Sequence, residues 1–211
     1  MAKNGMATAI SEPTNGAADI ISLEEPYRVA FRIEGLAPIL LHAWNAEAVD
    51  EKAAIAKGSK GKKSDNLETY VYRDSNDHIC VKGISIARAI ATMARFRQDP
   101  RSPRKSAHDL YTAGVVAEEP LLPFLPKTKT WQYTDKQRAV VQKNAINRTR
   151  PAMKAGWVIE GVLMVLLPEY ISVADVNDLL VKAGRLGGLG DYRPSYGRFR
   201  VVRCDRIKAD R

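Results

Sequence analysis

The stretch Gly184-Arg185-Leu186-Gly187-Gly188-Leu189-Gly190-Asp191-Tyr192-Arg193-Pro194-Ser195-Tyr196-Gly197-Arg198-Phe199-Arg200 separates a helical pattern before it from a strand-like pattern after it. Five glycines fall within the fourteen residues Gly184 to Gly197. Glycine admits positive φ and lets a second backbone or a ligand come close. Tyr192, Arg193, Tyr196 and Arg198 sit among or beside these glycines. A loop carrying cations and flat rings suits a phosphate backbone and unstacked bases. It also suits a loop that only closes a domain, with its tyrosines packed inward.

Upstream of this loop, Trp157 to Leu167 is apolar on both faces apart from Glu160, the pattern of a central strand. Ser172, with Asp175 three residues later, opens a helix in the manner of a capping box. Val173, Val176, Leu180 and Ala183 form its buried stripe, and Gly184 suits its C-terminal cap. Downstream, Arg198 to Cys204 reads as the last strand.

Near the N-terminus, Tyr27, Val29, Phe31 and Ile33 alternate with Arg28, Arg32 and Glu34, a half-buried strand. Residues 1–25 lack a sustained period and read as a flexible arm, leaving 26–211 as one domain. Ala46 to Ala56 fits a short helix, and Lys57 to Lys63 a basic, glycine-rich loop. Tyr70 to Arg73 and His78 to Val81 flank Asp74-Ser-Asn-Asp77, which has turn chemistry, so a hairpin is expected. Ser85 is placed to cap a helix running to about Arg97, with Ile86, Ile90, Met93 and Phe96 on one face. Insertions are expected at about 42–68 and 99–155. In the second, Ala139 to Ala145 suits a strand and Arg148-Thr149-Arg150-Pro151 a turn. With the insertions set aside, the order is βαββαβ. This is a ferredoxin-like α+β layout, shared with RNA-recognition domains, with helices on one sheet face and the other face open.

The net charge of +9 over 211 residues points to a polyanionic partner. Crowded basic loops without a ligand would give the same balance. Cys80 and Cys204, the only two cysteines, each lie in a strand-like run and read as core residues in a reducing compartment. His42, His78 and His108 are scattered, so no metal is expected. No cofactor is expected either: Gly187 to Gly190 lacks the Lys-Ser/Thr of a phosphate-binding loop and follows its helix rather than preceding one. No apolar run reaches spanning length and no secretory signal is apparent, which predicts a cytoplasmic protein with no membrane partner.

The glycine loop and final strand, set after the second helix of a ferredoxin-like layout, resemble the RAMP superfamily, the backbone and processing subunits of CRISPR effector complexes. Val81-Lys82-Gly83-Ile84-Ser85 resembles that superfamily's lead into its first helix. Over residues 27–204 the chain also resembles a group of phage and prophage proteins. The shared features are Leu40-Leu41-His42, the hairpin with Tyr72-Arg73-Asp74, Thr149-Arg150-Pro151, and the Gly-Leu-Gly-Asp-Tyr-Arg-Pro…Gly-Arg-Phe ending from Gly188 to Phe199. The resemblance implies a non-catalytic protein that binds single-stranded RNA or DNA without strong sequence preference and lines up with copies of itself along the strand. The expected contacts are Lys60, Lys62, Lys63, Lys82, Arg88, Arg148, Arg150, Lys154, Tyr192, Arg193 and Arg198, with Gly184, Gly187, Gly188, Gly190 and Gly197 shaping the loop. Trp44 and Trp131 offer further stacking faces. One alternative is a phage-type assembly or protein-interaction subunit. Another is a RAMP-like ribonuclease in which His42 moves a proton, helped by Lys82 and Tyr192.

Overall fold

The computed structural model describes residues 25–44, 66–141 and 144–207. The short helix expected at 46–56, the basic loop with Lys60, Lys62 and Lys63, and nearly all of the N-terminal arm lie outside the described residues.

Strand β1 (Tyr27–Gly35) buries its odd-numbered residues and leaves Arg28, Ala30, Arg32 and Glu34 half-buried on the other face. It is an interior strand of the main sheet, next to one edge. Strand β2 (Ile39–Leu40) leaves that sheet and joins a second one. Strands β3 (Tyr72–Arg73) and β4 (Ile79–Lys82) form the expected hairpin, pairing Tyr72 with Cys80 and Arg73 with Ile79. The Asp74 carboxylate closes its turn by accepting from the backbone N–H of Asn76 and of His78 at 2.9 and 2.8 Å.

Helix α1 (Gly83–Met93) begins two residues before Ser85, and Lys82 caps it without a side-chain bond. The reason is a close approach. The Gly83 N–H donates to the Pro120 carbonyl at 2.9 Å, and a Cβ there would lie 2.1 Å from the Glu119 carbonyl oxygen. Ile86, Ile90 and Met93 are buried as expected, but Phe96 is 80% exposed. The chain tightens into a 3-10 turn at Ala94–Phe96, which turns the ring outward and puts Ala94 in the core.

The stretch expected as an irregular insertion carries much regular structure. It holds the small hairpin β5 (Gln98–Asp99) and β6 (Ser102–Ser106), helix α2 (His108–Gly114), and strands β7 (Val115–Ala117) and β8 (Leu121–Leu125). A long hairpin follows, β9 (Tyr133–Val141) and β10 (Asn144–Met153), with Asn144 opposite Val141. The strand expected at 139–145 therefore crosses a hairpin end. The expected turn at 148–151 lies inside β10, where Pro151 sits opposite Thr134. Proline had suggested a turn there, but its position tolerates it because β2 pairs only with Ala152 and Met153 beyond it.

Strand β11 (Val158–Val165), helix α3 (Val173–Lys182) and strand β12 (Phe199–Ile207) complete the chain. Both bonds of the Ser172–Asp175 capping box are present. Gly184 does not end this helix. A π-helical turn continues through Ala183–Gly187, and Gly188, at φ +76°, caps it by donating to the Ala183 carbonyl at 2.8 Å.

The protein is thus a mixed α+β chain with antiparallel sheets. The main sheet has the order β12-β1-β11-β8-β4-β3, with β7 also on β11, and a second sheet has the order β2-β10-β9. Helix α1 packs on both α2 and α3, and α3 packs on β12, so the helices share one side of the main sheet. The core between them holds Val29, Phe31, Ile33, Ile159 and Leu163 against Ile86, Ile90, Val176 and Leu179. Cys80 is buried and Cys204 half-buried, and burial pushes each thiol up to about 11. The opposite face of the sheet carries paired charges: Arg28 with Glu118, Arg32 with Glu160, Arg200 with Glu34 and Arg203 with Asp205. No helix among the described residues is long and apolar enough to cross a membrane.

Phe199 joins the loop to this core. Its ring meets Trp157 edge-on at 6.3 Å between centroids, and a Cβ on Gly184 would lie 2.7 Å from it. Phe199→Ala should cost about 3–5 kcal/mol in urea unfolding. A loss under about 1 kcal/mol would contradict the anchoring role.

Candidate functional site

Arg150 lies on β10 and is 2% exposed. Its guanidinium donates through Nε to Asp191 Oδ2 at 2.9 Å and through Nη1 to the Thr149 carbonyl at 3.0 Å, and it stacks 4.5 Å from the Tyr70 ring centroid. Asp191 is held in turn by its own backbone N–H, which donates to the Leu40 carbonyl at 2.9 Å, while its Oδ1 accepts from the Tyr192 N–H at 3.0 Å. His42 Nδ1 stands 3.5 Å from Asp191 Oδ2, and its ring meets Tyr70 edge-on. Burial pushes the Asp191 carboxyl up. The Arg150 and Tyr192 hydrogen bonds, with the charges of Arg150 and His42, outweigh that and hold it below the usual carboxylate range.

Arg150, expected as a phosphate contact, is therefore occupied inside the protein. Its burial leaves no path to a strand, and its charge is matched by Asp191. The pair fixes the glycine loop across β2 and β10. Two further bonds close it, Leu189 N–H to the Gly197 carbonyl at 2.9 Å and Gly197 N–H to the Pro38 carbonyl at 2.7 Å. Gly190 and Gly197 lie at φ +78° and +72°. Added Cβ atoms would come within 2.4 Å of the Leu40 carbonyl oxygen and 1.7 Å of the Leu189 carbonyl oxygen. Gly187, by contrast, has room for a side chain. Leu189 is buried as the other end of the loop.

Around this base the loop leans on the long hairpin. The Tyr196 hydroxyl accepts from Gln137 Nε2 at 2.8 Å and donates to Asp135 Oδ2 at 3.4 Å. Tyr192, at φ +53°, meets the Tyr196 ring edge-on at 6.5 Å. Arg193 is exposed beside them. Arg148 sits half-buried opposite Gln137, on the hairpin face that meets the loop. Lys136 and Arg138 are exposed on the other face. Sequence reasoning missed these two, although the alternation Thr134, Lys136, Arg138 was there to mark one outward face of a strand.

Other expected residues lie apart. Lys82 projects over the Tyr72 ring at 4.7 Å and, with His42 and Gly190, lines a small pocket of about 70 Å³. Arg88 lies on the outward side of α1, in a groove with Ile84, Val116 and Glu119. Arg198 lines a groove with Leu36, Val181 and Arg185 at the far end of the loop. Lys154 lies beyond β10, in a cavity of its own. Trp44 is exposed, while Trp131 packs partly against the core. No group of three or more His, Cys, Asp or Glu among the described residues could hold a metal ion.

No family model matches this chain, and neither does any curated protein. Among solved structures, a chain of the "Cryo-EM structure of the Type III-B Cmr-beta bound to cognate target RNA" is similar, with a TM-score of 0.50 and 10% sequence identity. The match covers 88% of this chain and 62% of that one, so this chain spans less than two thirds of its neighbour's length. At that identity the likeness is one of fold.

Asp191→Asn removes the charge that Arg150 needs and should cost about 2–4 kcal/mol at pH 7. The Asp191 carboxyl binds its proton more weakly folded than unfolded. Its contribution is therefore full above the unfolded value, about 3.9, and is lost as pH falls through the lower folded value. Urea unfolding of wild type and variant at pH 7 and at pH 3 should show the difference shrinking in acid. An equal difference at both pH values would contradict the pairing.

Proposed function

We propose that the chain is a RAMP-like subunit, of the phage-type group with the Gly-Leu-Gly-Asp-Tyr-Arg-Pro ending, that binds single-stranded RNA or DNA without strong sequence preference. Copies of it would line up along the strand. One observation carries this reading. Arg148 on the long hairpin and Arg193 on the glycine loop have no carboxylate partner among the described residues, and they lie on the side where the Tyr192–Tyr196 ring pair meets the hairpin, while Lys136 and Arg138 stand unpaired on its other face. Unpaired cations can neutralise phosphates, and the half-buried Tyr192 and Tyr196 rings each offer a base a stacking face worth roughly 1–3 kcal/mol.

The strand order supports a ferredoxin-like core. Take β1, the broken strand β7/β8, β11 and β12 as the four core strands in chain order. The sheet then runs fourth, first, third, second, with α1 and α3 as the two crossovers on one face. Residues 26–211 would form one domain on that core, with insertions at about 42–68 and 99–155. The fold likeness to a chain from an RNA-bound complex fits this. Lys60, Lys62, Lys63 and Lys82 would extend the phosphate-contacting surface.

A protein-interaction role has its own support in the open face of the main sheet, where the cations are already paired with carboxylates. That face would suit a protein better than a polyanion. A ribonuclease reading rests on His42, half-exposed and held against Asp191.

Fluorescence anisotropy with single- and double-stranded RNA and DNA tests the leading reading. Single strands should bind more tightly, with affinity falling steeply in salt. Tyr192→Ala with Arg193→Ala should cut affinity at least about tenfold while leaving the melting temperature nearly unchanged, and should flatten the salt slope by about one unit. Salt-insensitive or absent binding would favour the protein-interaction role. Strand cleavage lost in His42→Ala would favour the nuclease.

A further inference from the structure

A second concavity lies beyond the end of β10, where it turns through Gly156 into β11. Its volume is about 390 Å³. That falls in the range of roughly 300–1,000 Å³ typical of small-ligand sites. Leu125, Pro126 and Met153 give it an apolar wall, and Trp157 and Phe124 close its floor. Its polar lining is of one sign. Lys127 and Lys154 both face it, and no carboxylate lines it.

Both lysines are exposed, and among the described residues neither ammonium has a carboxylate partner. Gln132 also lines the cavity. Its Oε1 accepts the Lys154 backbone N–H at 2.6 Å, which fixes the amide and leaves its NH₂ donors without a protein partner among the described residues. On the open face of the main sheet, by contrast, each of Arg28, Arg32, Arg200 and Arg203 has an acidic partner. Here two unmatched cations share one cavity with an apolar wall and a fixed amide.

We propose that this cavity binds the phosphorylated nucleoside unit of a nucleotide. Lys127 and Lys154 would neutralise the phosphate, the base would lie against the Leu125–Pro126 and Met153 wall, and the Gln132 amide would donate to an acceptor on the base edge. An amide NH₂ suits ring nitrogens and carbonyl oxygens of a base. Inorganic phosphate would satisfy the lysines but would leave the apolar wall and the amide unused. The nucleotide has two sources, free in solution or as the phosphorylated end of a strand. The second is within reach of the glycine loop, because Lys154 lies four residues beyond Arg150 on or next to β10, about 13 Å along it. The cavity stands on its own geometry, whether or not the glycine loop binds a strand.

Calorimetry on the full chain with AMP, adenosine and inorganic phosphate tests the site. Oligonucleotides with and without a terminal 5′-phosphate separate the two sources. AMP should bind at least about tenfold more tightly than adenosine or phosphate alone. Lys127→Ala with Lys154→Ala should remove that advantage without lowering the melting temperature. Binding of AMP alone identifies a free nucleotide, and a gain conferred by the 5′-phosphate identifies a strand end. The proposal is overturned if AMP binds no better than phosphate and the 5′-phosphate confers no gain, or if the double variant binds as the wild type does. Should an unphosphorylated strand still bind in that event, the glycine-loop reading survives while this one fails.

Discussion

A guanidinium removed from water must meet an anion, because an unpaired buried charge costs several kcal/mol. Arg150 is in that position, and Asp191 is the anion that meets it. The requirement reaches well beyond one ion pair. Asp191 must come to β10, so the backbone on either side of it must follow, and its N–H then reaches the Leu40 carbonyl. A chain that passes so close to β2 cannot carry a Cβ at Gly190, and its return past Leu189 cannot carry one at Gly197. The glycines, the aspartate and the arginine are thus one device. It pins a loop that would otherwise be costly to order, and it presents Tyr192 and Arg193 on a fixed base.

The distribution of charge follows the same logic. An excess of nine positive charges says little until the paired cations are set aside. On the open face of the main sheet, carboxylates from β1, β11, β12 and the β7–β8 connection take up the arginines one by one. RNA-recognition domains use that face for their ligand. Here Arg28, Arg32, Arg200 and Arg203 are paired with carboxylates. The second sheet and the chain just beyond it carry Lys136, Arg138, Arg148 and Lys154, none with a carboxylate partner among the described residues. Under the proposed reading, a polyanion would meet free cations on the β9–β10 hairpin and paired ones on the open face of the main sheet.

How much of this was legible in the sequence depended on whether the signal was local. The alternation from Tyr27 to Ile33, the Ser172–Asp175 box and the Asp74 turn are short-range patterns, and the strands and helix they predict are present. Errors arose where a distant partner decides. Ser85 looked like a helix cap because nothing nearby shows that the Pro120 carbonyl meets Gly83. Phe96 fitted the buried stripe, but a 3-10 turn rotates it out, and no residue before it announces the change of pitch. Pro151 signalled a turn, although its place in β10 is set by pairing with β9.

The candidate site shows the same division more sharply. The loop was visible as a cluster of glycines, and the structure shows that buried Leu189 and Phe199 anchor it. The role of Arg150 could not be read from the sequence. An arginine in a basic segment has the same sequence signature whether it faces solvent or a buried carboxylate. Only the pairing of residues forty-one positions apart distinguishes them. That bond changes what the Thr149-Arg150-Pro151 motif means. Its arginine holds the loop in place, and under the proposed reading ligand contact would fall to Arg148, two residues earlier on the same face of β10, and to Arg193 on the loop itself. The segment is informative about function because its central residue is structural. An arginine locked to Asp191 keeps its neighbours in register, so that Arg148 and the rings of the loop lie on one face of the hairpin.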